Sequence, residues 1–251
     1  HGRFQSSVTC PFLHALCISL FLIGLPQSVT SAPLELDSHS RAYALPMFSQ
    51  FLYPGDIADE ISTSLAAFSL QAIQKERENN FLEARDAKKR LLQIIEKVAK
   101  DEATYAQTWE HKAIRAEVSE IDTFLALPGD RQATVRQAAE KFLNSTMRIV
   151  KSAGRDDADR YIDSLKNIEL HLGRRSPLFI RCSTILAGLQ VASLEFDAAI
   201  NTANAANELS HDLFEMESPE SIKLKYLIVA SLLFQRNFDA AGKTIKETVS
   251  A

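Results

Sequence analysis

The chain has 251 residues, of which 46% are hydrophobic and 24% charged, and its formal net charge is −4. This composition is that of a globular protein. The small negative charge gives no reason to expect a nucleic-acid partner, which needs a concentrated basic face. Glycine and proline, eight of each, are both missing between Ile57 and Leu127. Because a β-rich chain needs turn residues about every 8–12 positions, we expect an all-α fold.

The N-terminal segment resembles a secretory leader. Residues 11–25 form an uncharged apolar run after Arg3. The run has the length of a signal-peptide core and is shorter than the roughly 20 residues that span a bilayer. Small residues follow, and they place a cleavage site before Ala32. We predict a signal peptide over 1–31 and export to the periplasm, the cell envelope or the outside. An uncleaved membrane anchor and a buried core helix are the alternatives.

Residues 32–56 contain three prolines and a glycine among polar residues, and we interpret them as a flexible linker. A helical repeat domain is predicted over 57–251. Two of the three cysteines lie in the leader. The third, Cys182, lies on an apolar helix face, where we expect it to act as a small buried hydrophobe.

Helical periodicity begins after the linker. Apolar residues at spacings of three and four predict helices over 57–77 and 81–99, with a turn at Asn79-Asn80. The basic cluster Lys88-Lys89-Arg90 has acidic neighbours, so we interpret it as solvated helix surface. The apolar stripes of the two helices are Ile61, Leu65, Phe68 and Ala72, and Leu91, Ile94, Ile95 and Val98.

Three more helices precede the clearest repeats. The third is predicted over 102–125, the fourth begins near residue 130, and the fifth covers about 156–172. Gly173 follows the fifth helix, where a glycine suits the left-handed position that ends many helices.

Two motifs then recur 42 positions later in the chain. Ser176-Pro177 returns as Ser218-Pro219, and in each the serine can cap a helix whose first residue is proline. The stretch from Phe196 to Ala199 returns as Phe238 to Ala241 with the same four letters, Phe-Asp-Ala-Ala. Two motifs at one offset indicate an internal repeat of two helices, which is typical of a solenoid.

Each Phe-Asp-Ala-Ala motif predicts a tight helical hairpin. We expect the aromatic to wedge between the two helices, and the alanine to let their backbones approach. Phe81 and Ala84 carry the same pattern, and Ala158 marks a degenerate copy without the aromatic. The prediction is four hairpins with an extra helix at 102–125 between the first and second. The hairpins cover about 57–99, 131–173, 177–217 and 219–250.

These features resemble tetratricopeptide repeats of the kinesin-light-chain-like type. The stretch from Leu172 to Pro177 matches the Leu-Gly-x-x-His-Pro pattern of that family, with serine in place of histidine. The segment 108–115 resembles an inserted helix of exported, planctomycete-type bacterial repeat proteins. The resemblance covers roughly residues 60–250. The turn glycine of the family is replaced by Asn79, Leu194 and Arg236.

The resemblance implies a right-handed superhelix of antiparallel helical hairpins, a tetratricopeptide-like α-solenoid. Its concave face, lined by the first helix of each hairpin, is expected to bind a protein or peptide. Polar residues on those helices are the candidate binding residues, with plain solvated surface as the alternative: Gln71, Gln74, Lys75, Arg181, Gln190, Lys223 and Lys225.

The sequence offers no constellation that indicates catalysis. The histidines lack metal-ligand spacing and the glycines are scattered singly. Glu110 and His111, beside Trp109, are adjacent on a helix and so point about 100° apart. We predict no catalytic, cofactor or metal site, and membrane contact only through the leader. The predicted function is a non-catalytic protein–protein interaction scaffold. The alternative is a regulatory or sensory arm of a larger enzyme, peptidase-like or kinase, whose catalytic domain lies outside this chain.

Overall fold

The computed structural model describes residues 47, 60–101, 109–149, 158–214 and 218–249, and all regular secondary structure in these ranges is α-helical. The all-α prediction is confirmed. The predicted signal peptide lies outside the described residues. The helices in chain order are α1 Glu60–Arg77, α2 Phe81–Asp101, α3 Trp109–Ala126, α4 Gly129–Ile149, α5 Ala158–Leu172, α6 Pro177–Ala192, α7 Phe196–Phe214, α8 Pro219–Phe234 and α9 Phe238–Val249.

One residue of the predicted linker belongs to the described part of the chain. Met47 is the one described residue of the predicted linker 32–56, and it is buried in the largest hydrophobic cluster together with Phe81 and Phe124. The Met47 side chain is therefore part of the hydrophobic core, and the other residues of the predicted linker lie outside the described residues. A methionine fits such a site because its unbranched side chain fills irregular gaps in a core.

The two Ser-Pro motifs begin helices as predicted. Ser176 precedes α6 in an extended conformation, and its side chain accepts the Phe179 amide at 3.0 Å. Ser218 precedes α8 in the same way and accepts the Ser221 amide at 3.1 Å. A proline at the first helical position has no N–H to leave unsatisfied, so each motif is a local start signal.

Three helix-to-helix turns share one backbone geometry. Asn79, Leu194 and Arg236 have φ angles of 58°, 64° and 60°, and they are the described non-glycine residues with positive φ. The amide that follows each of them bonds back five residues, as Glu195 does to the Gln190 carbonyl at 2.8 Å. This is the Schellman ending of a helix, in which a left-handed residue closes the last turn. The turn geometry therefore forms without a glycine at these three positions.

The glycine predicted to end the fifth helix is also confirmed. Gly173 follows α5 with φ 84°, and its amide bonds the Glu169 carbonyl at 2.9 Å. A left-handed residue without a Cβ avoids the steric cost that other residues bear in this conformation.

The alanines of the hairpin motif are buried as expected. Ala84, Ala199 and Ala241 are each at most 1% exposed. The side chain of Ala158 lies outside the described set. Because these small residues are almost fully buried, a larger side chain at their positions lacks space.

Two of the aromatic residues of the same motif contact an aromatic of the helix that follows their hairpin. Phe81 packs edge-on against Phe124 of α3, with ring centroids 5.0 Å apart, and Phe196 stacks on Phe234 of α8 at 5.5 Å. In both cases the ring contacts an aromatic of the helix that follows its hairpin, and Phe196 also packs against the cluster that contains Val191 of α6, the first helix of its own hairpin. Phe238 is 64% exposed, because no helix after α9 covers it in the described chain.

Helix α3 contacts helices that come before and after it in the chain. It packs on α2 and also on α5, α6 and α7. The largest hydrophobic cluster runs from the start of α2 through α3, α4 and α5 into α6, and it contains Cys182, which is buried as predicted. A second cluster joins α6, α7 and α8, and a third joins α2 and α3.

The left-handed turn residues lead to a stability prediction. Replacing Leu194 by glycine is expected to raise the free energy of unfolding by about 1 kcal/mol, because a side chain in this conformation costs roughly that much. Leu194 is largely exposed, so little packing is lost. Urea unfolding followed by circular dichroism measures the change.

Ala205 provides the matched control. It is exposed within α7, and Ala205→Gly is expected to lower stability by about 1 kcal/mol, because its backbone is helical. Destabilisation of similar size by both glycine substitutions would contradict the turn assignment.

Candidate functional site

The predicted binding residues are distributed over three helices. Gln71 and Gln74 are exposed on α1, and Gln74 donates to Glu78 at 3.0 Å. Lys75, partly buried nearby, forms ion pairs of 3.0 Å with Glu78 and with Glu83. The hydrogen bonds to Glu78 and then to Glu83 raise the pKa of Lys75. These contacts join the end of α1 to the start of α2. Lys75, a residue expected on a binding surface, therefore has a structural role.

The remaining candidates lie on α6 and α8, which pack against each other. Arg181 and Lys223 occupy equivalent positions of the 42-residue repeat and are partly exposed, as is Lys225. Lys223 pairs with Glu220 at 3.2 Å. Gln190 differs from expectation, because it is 5% exposed and its Oε1 atom has no hydrogen-bond partner among the described residues. It is therefore not a surface position, since α6 is covered on most of its sides.

A buried polar centre lies where α1, α2, α3 and α6 meet; it consists of Glu76, Lys88, Glu117 and Glu120. The Lys88 ammonium hydrogen-bonds the Glu117 carboxylate, and both side chains are almost fully buried. The interpretation of the Lys88 cluster as solvated surface is thus wrong for Lys88. Sequence could not reveal this, because the acidic partner is 29 residues away on another helix.

Glu120 caps a helix from a distance. Its Oε1 atom accepts the Leu178 amide at 2.9 Å, and the Ser176 hydroxyl also donates to this carboxyl group. The Leu178 amide is one of the first four of α6, which have no partner within the helix. Glu120 therefore satisfies a buried donor and attaches α3 to the start of α6.

Burial makes Glu120 an unusual acid. Desolvation raises its pKa to about 8, and the neighbouring charges of Glu117 and Glu76 act in the same direction. The hydrogen bonds from Leu178 and Ser176 lower the pKa, but they do not overcome the burial. The Oε2 atom has no hydrogen-bond partner among the described residues. The neutral acid is therefore the favoured form near pH 7.

His111, singled out in the sequence, is also structural. It is buried on α3, and its Nε2 atom lies 3.7 Å from Oε1 of Glu96 on α2. The side chains of Trp109 and Glu110 lie outside the described set. Among the residues that the structure describes, no group of three or more His, Cys, Asp or Glu side chains is arranged to hold a metal ion.

The last hairpin exposes an apolar surface that the sequence reasoning missed. On α8, Ile222, Tyr226 and Leu233 follow at spacings of four and seven, so they share one side of the helix. On α9, Phe238 and Ile245 are exposed at a spacing of seven. We call these five residues the open face.

The repeat itself shows that the open face is not ordinary surface. Ile180 and Val191 of α6 are 1% and 2% exposed, because α8 packs over them. Their equivalents 42 residues later, Ile222 and Leu233, are 39% and 45% exposed. The equivalent of the fully buried Ala203 is Ile245, at 45%. The same side of the hairpin is thus covered in one copy and uncovered in the next.

Comparison with protein-family models, curated proteins and solved structures finds no match to this chain. In the described ranges, no helix is both long and apolar enough to cross a membrane.

The buried polar centre leads to a prediction about pH. Between about pH 5 and pH 8 the unfolded chain has already lost the Glu120 proton that the folded chain retains, so the stability from this residue falls as pH rises and levels off above pH 8. Glu120→Gln keeps an oxygen for the Leu178 amide and cannot titrate. The variant is therefore expected to lose less stability than the native protein between pH 5 and pH 9.

Denaturant unfolding of both proteins at pH 5, 7 and 9 measures this difference. Glu120→Ala is the companion variant, expected to be less stable by about 1–3 kcal/mol because the buried amide loses its acceptor. Parallel pH profiles for the native protein and Glu120→Gln would show that Glu120 is not the titrating group.

Proposed function

We propose that this chain is a non-catalytic protein–protein interaction scaffold, built from tetratricopeptide-like hairpins that stack into a right-handed superhelix and exported from the cytoplasm. The repeated start signals and turns of α6–α7 and α8–α9 support the stacked hairpins. So does the packing of α8 on both α6 and α7. Such arrays recognise partners through extended surfaces.

The observation that carries the proposal is the open face. Monomeric proteins rarely expose contiguous apolar surface, and where they do it commonly marks a binding site. Tyr226 and Phe238 add aromatic rings, which are enriched at protein interfaces. The partner that fits is a helix with an apolar stripe, because α8 covers the equivalent side of α6–α7 with such a stripe, formed by Leu224, Leu227 and Ile228.

Charge next to the open face suggests how a partner is oriented. Lys223 and Lys225 flank Ile222 and Tyr226 along α8, and Arg181 occupies the position equivalent to Lys223 on α6. An acidic segment beside the apolar stripe of a partner would meet these cations. Charges at the rim of an interface act mainly on association rate and orientation.

Aspartate substitutions at Tyr226 and Leu233 test the scaffold. Both side chains are exposed, so the double variant is expected to fold, while a partner helix would have to bury two charges. We expect the native chain to recover a partner in affinity capture from its own cells, and Tyr226→Asp/Leu233→Asp to lose it.

Leu170→Asp is the matched control, because Leu170 is an exposed leucine on α5, away from the open face. It is expected to recover the same partner as the native chain, with unchanged circular dichroism for all three proteins. Equal recovery by the native chain and the double variant would show that the open face is not the binding surface.

Export is tested separately from binding. Residues 1–40 fused to a reporter that is active only outside the cytoplasm are expected to give activity. Arginine substitutions at Leu20 and Leu22 should abolish it, because charges interrupt the apolar run that a signal peptide needs. An inactive native fusion removes export from the proposal.

A further inference from the structure

We propose that the occupant of the open face is a second copy of this chain, paired through α9 about a two-fold axis near Gly242. The inference rests on the proposed function, because it names the partner of the same surface. It begins from the aromatic pattern of the hairpins. Phe81 and Phe196 each contact an aromatic of the following helix, whereas Phe238 is exposed.

Helix α9 has an apolar side that is complementary to itself. Phe238, Gly242 and Ile245 follow at spacings of four and three, so they lie on one side of the helix. In an antiparallel pair centred near Gly242, Phe238 of one copy lies close to Ile245 of the other. A two-fold axis uses the same surface on both copies, so one uncovered apolar side supplies both halves of the contact.

Gly242 leaves room for close approach at the centre of this pair. A Cβ added at Gly242 would meet no atom within 4 Å, so the space above it is open in the single chain. The equivalent residue one repeat earlier is Ile200, which is partly buried. A glycine inside a helix lowers the stability of that helix. Within the single chain no close contact at Gly242 requires the absence of a side chain. Between two backbones the missing side chain lets the helices come together.

Charge complementarity selects a second copy over another apolar helix. Asp239 lies three residues before Gly242 and Lys246 four residues after it, and both are exposed. They flank the apolar side of α9 at the same edge, about 20° apart around the helix axis. Antiparallel pairing about Gly242 therefore brings Asp239 of each copy near Lys246 of the other. A parallel two-fold pairing would instead place the edge with Asp239 and Lys246 beside the apolar edge of the other copy, where neither charge meets an opposite charge.

Sedimentation velocity of the full chain over a range of concentrations tests the pairing. The native chain is expected to form a dimer. Asp239→Lys and Lys246→Glu should each weaken it by about tenfold, because each places like charges opposite each other. The double variant Asp239→Lys/Lys246→Glu should restore the native affinity, because it exchanges the two charges.

Two further variants separate pairing from folding. Gly242→Gln fits the open space of the single chain and favours the helix, so it should fold at least as stably as the native chain while losing the dimer. Asp163→Lys makes the same charge change at an exposed position of α5 and should leave the dimer intact.

The outcomes distinguish this inference from the proposed function. A native chain that stays monomeric, or a dimer indifferent to Asp239→Lys and Lys246→Glu, overturns the second copy as occupant. If that monomeric chain captures a partner and Tyr226→Asp/Leu233→Asp loses it, the scaffold function remains. If capture is also unaffected by the double variant, both proposals are wrong.

Discussion

One hydrogen bond between distant parts of the chain organises the arrangement of helices. The Glu120 carboxyl accepts the Leu178 amide across 58 residues of sequence, and this contact fixes α3 against the start of α6. Because α3 also packs on α2, the first two helices are joined through it to the hairpins that follow. The largest hydrophobic cluster forms around this junction, with Ile121 and Phe124 of α3 fully buried in it. The polar and apolar contacts of α3 thus coincide at this junction, and α3 joins α2 to α5, α6 and α7.

The ionisable side chains of the polar centre compensate for one another's burial. Lys88 and Glu117 neutralise each other in the interior, while Glu120 avoids adding another negative charge beside Glu117 and Glu76 by holding its proton. The neutral acid still accepts an amide hydrogen bond, so the helix start is satisfied without a full negative charge. Removal of either partner of the Lys88–Glu117 pair would leave an uncompensated charge, which typically costs about 3–5 kcal/mol.

The repeat has local and non-local parts that respond differently to their surroundings. Both Ser-Pro caps recur in the extended conformation, and the left-handed turns recur with closely similar φ angles, because each depends on neighbours in sequence. The burial of equivalent side chains does not recur, because it depends on what lies beside the hairpin. Ile180 is buried under α8, and Ile222 has no such cover in the described chain. The same side of a hairpin is therefore core in one copy and binding surface, by our proposal, in the next.

The sequence by itself determined the helical class, the 42-residue repeat and the helix boundaries at Ser176-Pro177, Ser218-Pro219 and Gly173. These features could be predicted because they depend on local backbone preferences and on short periodicities. Only the tertiary structure decided the rest of the candidate site. In the tertiary structure Lys88 and Gln190 are buried, although polar residues of these types are usually exposed. Phe238 and Ile245 are exposed, although apolar residues of these types are usually buried. The physical reason is that burial depends on which helices pack against each other. The type of a residue does not tell which helix, if any, lies opposite it.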